Sequence, residues 1–517
     1  MTLLYNRNGE SRMVTRTERE HDVIIVGAGI LGSAAAVALG KQGRKVLLIE
    51  RDMSEPDRIV GELLQPGGVK ALHQLGLADC LEGIDAIPVH GYHCIYHNEG
   101  VAIPYTSTEG VPERGKSFHH GRFVMKLREA ALKAPNVSVL EATANNIFTN
   151  SVTGAALGIT CTVKSTTTPQ HHFAPLTLIA DGCFSKFRSK YIPKQPAVRS
   201  HFVGLVLKDA DLPAPNHGHV ILGNNPPVLV YQIGTHDTRI LVDVPGKLPS
   251  VGSGALKKYL EDTVLPELPE SIKPSFKDAL ETQRLRTMPN SFLPPSVNKT
   301  PGIIVLGDAM NMRHPLTGGG MTVAFTDVVL LRDLLSPSLV PTLSNRDLVV
   351  RQMEKFHWQR KHLSSVVNIL AMALYALFAA NDNRLRALQN GCFRYFQLGG
   401  PCVEGPVSLL SGIRRQPLVL FMHFFAVAIY AIYLIFAESS LVMWPVMVVH
   451  SGAVFVKACQ VRRLLMEVRG RQRMGIVIDK KESMCGDFGV LLGFGWIPQE
   501  EHERICSILD QPITFPA

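Results

Sequence analysis

Residues 22–32 read DVIIVGAGILG, a short β-branched run followed at once by a glycine-rich turn. The run is typical of a buried parallel strand, and the alanine-rich stretch 30–41 predicts the helix that follows. Residues 45–50 (KVLLIE) then predict a second buried strand. The opening of the chain therefore predicts a βαβ unit.

The glycines of this turn, Gly27, Gly29 and Gly32, stand in a GxGxxG arrangement. The first permits a tight turn, the second lets the backbone approach a pyrophosphate, and the third lets helix and strand pack closely. Helix N-terminal amides then favour the anion. Glu50 ends the second strand, where its carboxylate can accept hydrogen bonds from ribose hydroxyls. We expect a dinucleotide here.

A second glycine-rich segment, residues 307–321, reads GDAMNMRHPLTGGGM and follows the buried run IIVLG. Asp308 is placed to bind a ribityl hydroxyl. Gly319 and Gly320, with Gly318, let main-chain amides approach an isoalloxazine ring, and the helix starting near Met321 points its positive end at that ring. A nicotinamide enzyme would need no such second segment. The pair of segments therefore predicts one bound FAD.

A third element lies mid-chain in LIADGCFSKFR, where Asp181 follows a buried strand. Alone it could be any strand-to-helix turn. Together with the two glycine-rich segments it matches the three-part signature of flavin-dependent monooxygenases of the para-hydroxybenzoate hydroxylase type.

The predicted fold class is α/β, with a Rossmann-like FAD-binding domain, an antiparallel substrate-domain sheet and a C-terminal helical membrane-associated region. Short apolar runs separated by Pro, Gly and Asn predict the antiparallel sheet. The predicted boundaries are 1–20 for a flexible N-terminal arm, 21–196 and 291–340 for the two parts of the FAD-binding domain, 197–290 for the substrate sheet and 341–517 for the helical region.

The C-terminal region contains a strongly apolar run of twenty uncharged residues, 418–437, about the length that spans a hydrocarbon core. A second apolar stretch, 441–456, follows after three residues, and basic residues flank the pair on both sides. Both flanks would then lie on the cytosolic face, which predicts a tightly turned or re-entrant hairpin. The alternative is a buried helical layer in a soluble domain.

Net charge and cysteine content limit the classes of binding partner, metal site and disulfide that we expect. A net charge of +9 suits an anionic membrane surface, an acidic protein or nucleic acid, but no nucleic-acid motif is present. The nine cysteines form no CxxC pair, which argues against a zinc site or a disulfide framework. We therefore expect no metal and reduced thiols.

Four stretches carry a closer resemblance: 50–68 (ERDMSEPDRIVGELLQPGG), 119–123 (HHGRF), 181–188 (DGCFSKFR) and 307–325 (GDAMNMRHPLTGGGMTVAF). Together they resemble the squalene monooxygenase (squalene epoxidase) family, from about residue 20 to the hydrophobic tail. A generic aromatic hydroxylase would not be expected to carry both RIVGELLQPGG and the apolar C-terminal helices.

The resemblance implies roles for single residues. Tyr92 would lie near substrate and flavin, with Gln65 as its hydrogen-bond neighbour. The further FAD contacts it implies are Ile30, Leu31, Arg51, Arg58, Leu63, Arg128, Ala144 and Met321, besides Glu50 and Asp308. We expect His119, His120 and His314 to be structural, because oxygen transfer from a flavin requires no general base.

The family implies epoxidation of squalene by FAD, O2 and electrons from NADPH, a step of sterol biosynthesis. Only one strand–GxGxxG–helix unit is present, so we expect no separate NADPH domain. The family resemblance implies that the electrons come through NADPH–cytochrome P450 reductase, at an endoplasmic reticulum membrane with the catalytic domain facing the cytosol. Membrane lipid would be a further partner. Two alternatives remain: an enzyme that acts on another apolar compound or reduces a prenyl chain, and a non-catalytic FAD-fold protein that binds prenylated partners.

Overall fold

The computed structural model describes residues 2–5, 11–14, 21–163, 168–380 and 382–468. Two seven-stranded sheets and a C-terminal group of helices make up most of it. The predicted α/β class with C-terminal helices is confirmed.

The first sheet contains the predicted βαβ unit. Five of its strands are parallel, and four of these are short, buried runs of mostly apolar residues, as expected for strands buried on both faces. Two antiparallel strands extend one edge. In spatial order the strands are Pro169–Phe173, Ala156–Val163, Val137–Thr149, Val46–Glu50, Val23–Val26, Leu176–Ile179 and Ile303–Val305.

The second sheet is antiparallel except for one parallel pair, His217–Leu222 beside Gly91–Tyr96. Its order is Arg286–Phe292, Ala197–Lys208, Asp237–Pro245, Val228–Gln232, His217–Leu222, Gly91–Tyr96 and Glu99–Pro104. It therefore extends beyond the expected range 197–290, because two strands come from residues 91–104 and the last one ends at Phe292. Three short strands form a small separate sheet: Leu63–Leu64, Gly115–Ser117 and Ile87–Val89.

Short helices interrupt the region expected to be strands. Leu256, Leu260 and Val264 recur every four residues, and this helical spacing buries all three against the second sheet. The helices before residue 340 are Ile30–Gly40, Pro66–Gln74, His120–Lys133, Arg188–Tyr191, Ala255–Tyr259, the π-helical Leu260–Val264, Lys273–Thr282 and Gly320–Leu334. Single 3-10 turns span Ala78–Leu81, Leu265–Glu267, Gly307–Ala309 and Pro315–Thr317.

The C-terminal helices are Arg346–Phe378, Asn383–Gln397, Pro401–Leu410, Pro417–Ala437 and Trp444–Val468, with a 3-10 turn at Leu441–Met443. Ring contacts between Phe436 and Trp444 (5.7 Å) and between Phe425 and Phe455 (6.2 Å) make the last two helices an antiparallel hairpin. Its predicted basic flanks therefore face the same end, although the side chains of residues 461–468 lie outside the described part.

Among the described residues, two helices are long and apolar enough to cross a membrane: Arg346–Phe378 and Pro417–Ala437. The first is mostly buried, as in the core of a soluble domain, whereas only 22% of the apolar window of the second is buried. Exposed apolar side chains continue along the hairpin at Leu418, Met422, Ile429 and Tyr433. This exposure favours the membrane interpretation of the hairpin over the buried layer.

At the N-terminus, Thr2–Tyr5 pairs antiparallel with Ser11–Val14. These two stretches are regular strands where the sequence predicted a flexible arm. The other residues of 1–20 lie outside the described part.

Candidate functional site

The glycine turn after the first strand is shaped by backbone packing. Gly27 has φ +101°, and a Cβ there would lie 2.5 Å from the carbonyl oxygen of Ala180. A Cβ on Gly32 would lie 1.8 Å from the carbonyl oxygen of Gly27. Gly29 differs, because no protein atom lies within 4 Å of its Cβ position. Gly27 and Gly32 thus bring strand and helix together, and Gly29 faces open space.

Glu50 is held against this turn. Its Oε2 accepts from the amide of Ala28 at 2.7 Å, and its Oε1 accepts from the amide of Arg51 at 3.0 Å. Buried Arg128 donates from Nε to the Ala28 carbonyl at 2.9 Å, and its Nη2 lies 3.8 Å from Glu50 Oε2. The carboxylate therefore has a fixed orientation at the end of its strand.

The second glycine-rich segment, residues 307–321, follows the strand Ile303–Val305 at the edge of the first sheet. Asp308 lies in the 3-10 turn that follows Ile303–Val305, and its side chain is exposed to the cavity described below. Buried Arg188 donates to the carbonyls of Ala309 at 2.8 Å, Asp308 at 3.0 Å and Cys183 at 2.7 Å. This arginine, which the sequence reasoning gave no role, ties the middle segment to the second glycine-rich segment.

The triple glycine, like the first turn, has one glycine packed closely against the protein and another that faces open space. Gly318 has φ +60°, and a Cβ on Gly319 would lie 2.4 Å from Val367. No protein atom lies within 4 Å of the Cβ position of Gly320, where the helix Gly320–Leu334 begins. Met321 is buried behind it. The N-terminal amides of this helix therefore face free space.

Both glycine-rich segments line one cavity of about 1020 Å³. Gly32, Gln65 and Gly319 are not on its wall. The predicted residues that are on it are Gly27, Gly29, Ile30, Leu31, Glu50, Arg51, Arg58, Leu63, Tyr92, Arg128, Ala144, Asp181, Asp308, Gly320 and Met321. Segments nearly 280 residues apart in sequence thus meet at one site, as a single bound dinucleotide requires.

Tyr92 and Gln65 contact each other where the cavity meets the second sheet. The Gln65 amide nitrogen donates to the Tyr92 hydroxyl and, at 2.8 Å, to the Thr317 carbonyl. Burial raises the pKa of Tyr92 to about 12, so the hydroxyl stays protonated at neutral pH. Tyr105, which the sequence reasoning missed, donates to Gln65 Oε1 at 2.6 Å. The alternating pattern of the residues around Tyr105 predicts a strand, but it does not indicate a contact with Gln65.

The sequence reasoning also missed a buried ion pair on the cavity wall. Arg239 donates from Nε and Nη2 to the two carboxylate oxygens of Glu62, each at 2.8 Å. Only 1% of the Glu62 side chain is exposed. The pairing neutralises an acid that would otherwise lie beside an apolar wall formed by Val220, Leu229 and Leu241.

The three histidines of interest each have a protein partner. His119 Nε2 lies 2.9 Å from Asp237, and His120 Nδ1 lies 2.9 Å from the Gly61 carbonyl. His314 Nε2 lies 3.1 Å from Ser200 Oγ, deep in the interior. These contacts agree with structural roles.

The cavity has the features that FAD requires. Open space over Gly29 and Gly320 leaves room for a pyrophosphate and a ring at two helix N-termini. Asp181 Oδ1 is buried and lacks a hydrogen-bond partner within the described ranges. The volume lies at the upper end of small-molecule sites, roughly 300–1,000 Å³. Metal-ligand clusters are absent from the described residues.

Comparisons with known proteins match two family models to this chain. The family described as FAD dependent oxidoreductase matches residues 22–121, and the family described as squalene epoxidase matches residues 173–449. Squalene epoxidase erg1 of Aspergillus fumigatus is 56% identical over 86% of this chain and 93% of its own length. Squalene monooxygenase of Mus musculus is 48% identical over 85% of this chain and 76% of its own length.

Solved structures show the same fold. A probable FAD-dependent monooxygenase, PqsL of Pseudomonas aeruginosa, superposes with a TM-score of 0.57 at 19% identity, covering 70% of this chain and 97% of its own. The flavin-dependent brominase Bmp2 gives 0.58 at 14% identity, covering 77% and 94%.

The fold, the two family models and the relatives together define an FAD-dependent monooxygenase. Sequence identity is high across most of the chain, and the family match covers more than half of it. The chain belongs to the squalene epoxidase family.

Proposed function

We propose that this chain converts squalene into 2,3-epoxysqualene with FAD and O2, a step of sterol biosynthesis. One oxygen atom bridges the two carbons of the trisubstituted alkene nearest one end of the hydrocarbon. The other oxygen atom leaves as water with two protons, and NADPH supplies the two electrons. The observation that carries the proposal is the single cavity that joins both glycine-rich segments to an apolar wall of the second sheet. Squalene epoxidase erg1 of Aspergillus fumigatus is 56% identical over 86% of this chain, which supports the proposal.

When bound, FAD supplies the chemistry that activates dioxygen. Glu50 and Arg128 would hold the ribose end, Gly29 and the amides of Ile30 and Leu31 the pyrophosphate, and Asp308 the ribityl chain. The cavity-facing positions of these residues support the assignment. Arg51, Arg58, Leu63, Ala144, Asp181 and Met321 would complete the contacts, with Gly320 opening the helix beside the ring.

The hydrocarbon substrate has no polar group to recognise. Its binding must therefore come from burial of apolar surface, at about 25 cal/mol per Å². Val220, Leu229, Leu241 and Met288 line the cavity on the second-sheet side and suit this role. The same walls exclude water from the reacting oxygen.

Squalene partitions into lipid, so an enzyme attached to a membrane would meet its substrate there. The exposed apolar hairpin supports membrane attachment. We place the chain at the endoplasmic reticulum with the catalytic domain in the cytosol and NADPH–cytochrome P450 reductase as the electron donor. The basic flanks of the hairpin suit a cytosolic face, where basic residues are enriched.

Product analysis tests the proposal. The purified, flavin-loaded chain, given squalene, O2, NADPH and the reductase, should form 2,3-epoxysqualene. Asp308→Ala should lose flavin, whereas Asp333→Ala, on an exposed part of the next helix, should keep it. Reduced, flavin-loaded protein that forms no epoxide would refute the assignment.

A further inference from the structure

We propose that Tyr105 is a positioning residue: through the amide of Gln65 it presents the Tyr92 hydroxyl to the cavity as a hydrogen-bond donor. The inference rests on the proposed function and assigns a role to a side chain that does not line the cavity itself. Gln65, Tyr105 and Tyr92 are all buried, with 0%, 6% and 7% of their surface exposed. Their polar atoms therefore depend on one another rather than on water.

The backbone of Thr317 fixes the orientation of the amide. A carbonyl oxygen only accepts hydrogen bonds, and the Thr317 carbonyl lies 2.8 Å from Gln65 Nε2. Turning the amide over would place two oxygens against each other with no proton between them. The nitrogen of Gln65 must therefore face Thr317, and its oxygen must face the opposite side.

Tyr105 occupies that opposite side. Its hydroxyl lies 2.6 Å from Gln65 Oε1, and because an amide oxygen cannot donate, Tyr105 donates. Burial holds the pKa of Tyr105 well above its ordinary value, so the donated proton remains on its oxygen. The ring also packs edge-on against Tyr92, with 5.9 Å between centroids. Tyr105 thus stabilises the one amide orientation that Thr317 allows.

The consequence concerns the proton of Tyr92. The amide nitrogen of Gln65 donates to the Tyr92 oxygen, so this oxygen acts as an acceptor on the inner side. Two other groups in the described part of the chain face the Tyr92 hydroxyl. One is the Thr317 carbonyl at 3.4 Å, which already receives the shorter bond from Gln65, and the other is the hydroxyl of Tyr105, whose proton is donated to Gln65. Because its bond to Thr317 is long, the Tyr92 hydroxyl can turn its proton to a ligand in the cavity that this side chain lines.

Tyr105→Phe tests the inference in the squalene assay with the flavin-loaded chain. The substitution keeps the ring and removes only the donor, so FAD content and KM for squalene should match the wild type while kcat falls roughly tenfold, the loss of about one buried hydrogen bond. Tyr96→Phe is the matched control, since Tyr96 is half-buried in the neighbouring strand and packs on Phe393 instead. Its kcat should stay at the wild-type value.

A double variant separates this role from general stability. If Tyr105 acts only through Gln65 on Tyr92, Tyr92→Phe/Tyr105→Phe should be no slower than Tyr92→Phe alone, and Gln65→Met should match Tyr105→Phe. Full kcat in Tyr105→Phe, or losses that multiply in the double variant, would overturn the inference while the wild type still forms epoxide. A wild-type chain that forms no epoxide would overturn the proposed function and this inference with it.

Discussion

Replacing Gly29 with alanine should weaken FAD binding while leaving the apoprotein folded. Gly29 has φ −82°, which any residue adopts, and no protein atom lies within 4 Å of the added Cβ. As the residue before the helix Ile30–Gly40, it would lose at most about 1 kcal/mol of helix stability. A methyl group in the open space would instead meet the pyrophosphate. Loss of one charge-assisted hydrogen bond, about 1.5–3 kcal/mol, corresponds to a Kd increase of roughly 10- to 150-fold.

Titration of the apoprotein with FAD, followed by flavin fluorescence, measures the Kd, and thermal unfolding of the same apoprotein measures its stability. Gly252→Ala is the matched control, because this glycine also has open space around its Cβ position but lies in an exposed turn away from the cavity. An unchanged Kd in Gly29→Ala would show that no pyrophosphate is seated at this turn. A large fall in apoprotein stability would show that the steric reasoning is wrong.

Two further predictions concern buried charge. Arg360→Met should destabilise the fold by about 3–5 kcal/mol in urea denaturation, because Asp327, which now accepts from Arg360 at 3.0 and 2.7 Å, would remain buried without its partner. Arg394→Met is the control: it breaks an exposed pair with Glu99 and should leave the urea midpoint near the wild-type value. Burial lowers the pKa of His120 to about 4 from the ordinary 6.5, so the unfolded chain takes up its proton first and stability falls as pH drops from 6.5 towards 4. The wild type should lose about 2 kcal/mol between pH 7 and 5 through this group, and a His120→Gln variant with an equally steep loss would contradict the assignment.

Local patterns predicted the parts of the fold that depend on neighbours in sequence. The β-branched run before Gly27 and the spacing to Glu50 indicated a strand, a turn and a second strand, and the structure has all three. The strand order of the second sheet could not be predicted in the same way. Alternation in residues 91–104 identifies strands, but it does not reveal that Gly91–Tyr96 pairs in parallel with a strand more than 120 residues later.

In the candidate site, too, the contacts between residues distant in sequence were not predicted. The positions of Tyr92 and Gln65 followed from resemblance, and their contact is present. Tyr105 and the pair of Glu62 with Arg239 were missed, because their side chains meet across 40 and 177 residues of sequence. Glycine motifs can be read from the sequence because a phosphate-binding turn requires a particular local backbone geometry. A buried polar contact depends instead on tertiary packing between residues that are distant in sequence.

The close approach of the hairpin to the rest of the protein affects how the chain can be shortened. At Gly391 a Cβ would lie 2.8 Å from the Cα of Ala431, so the two helices touch backbone to backbone. Ala428 and Ala431 belong to the same apolar core as Leu63 and Tyr92. A truncated chain ending before Pro417 would expose the face that these alanines now cover, and it should need detergent for solubility even without its most hydrophobic helix.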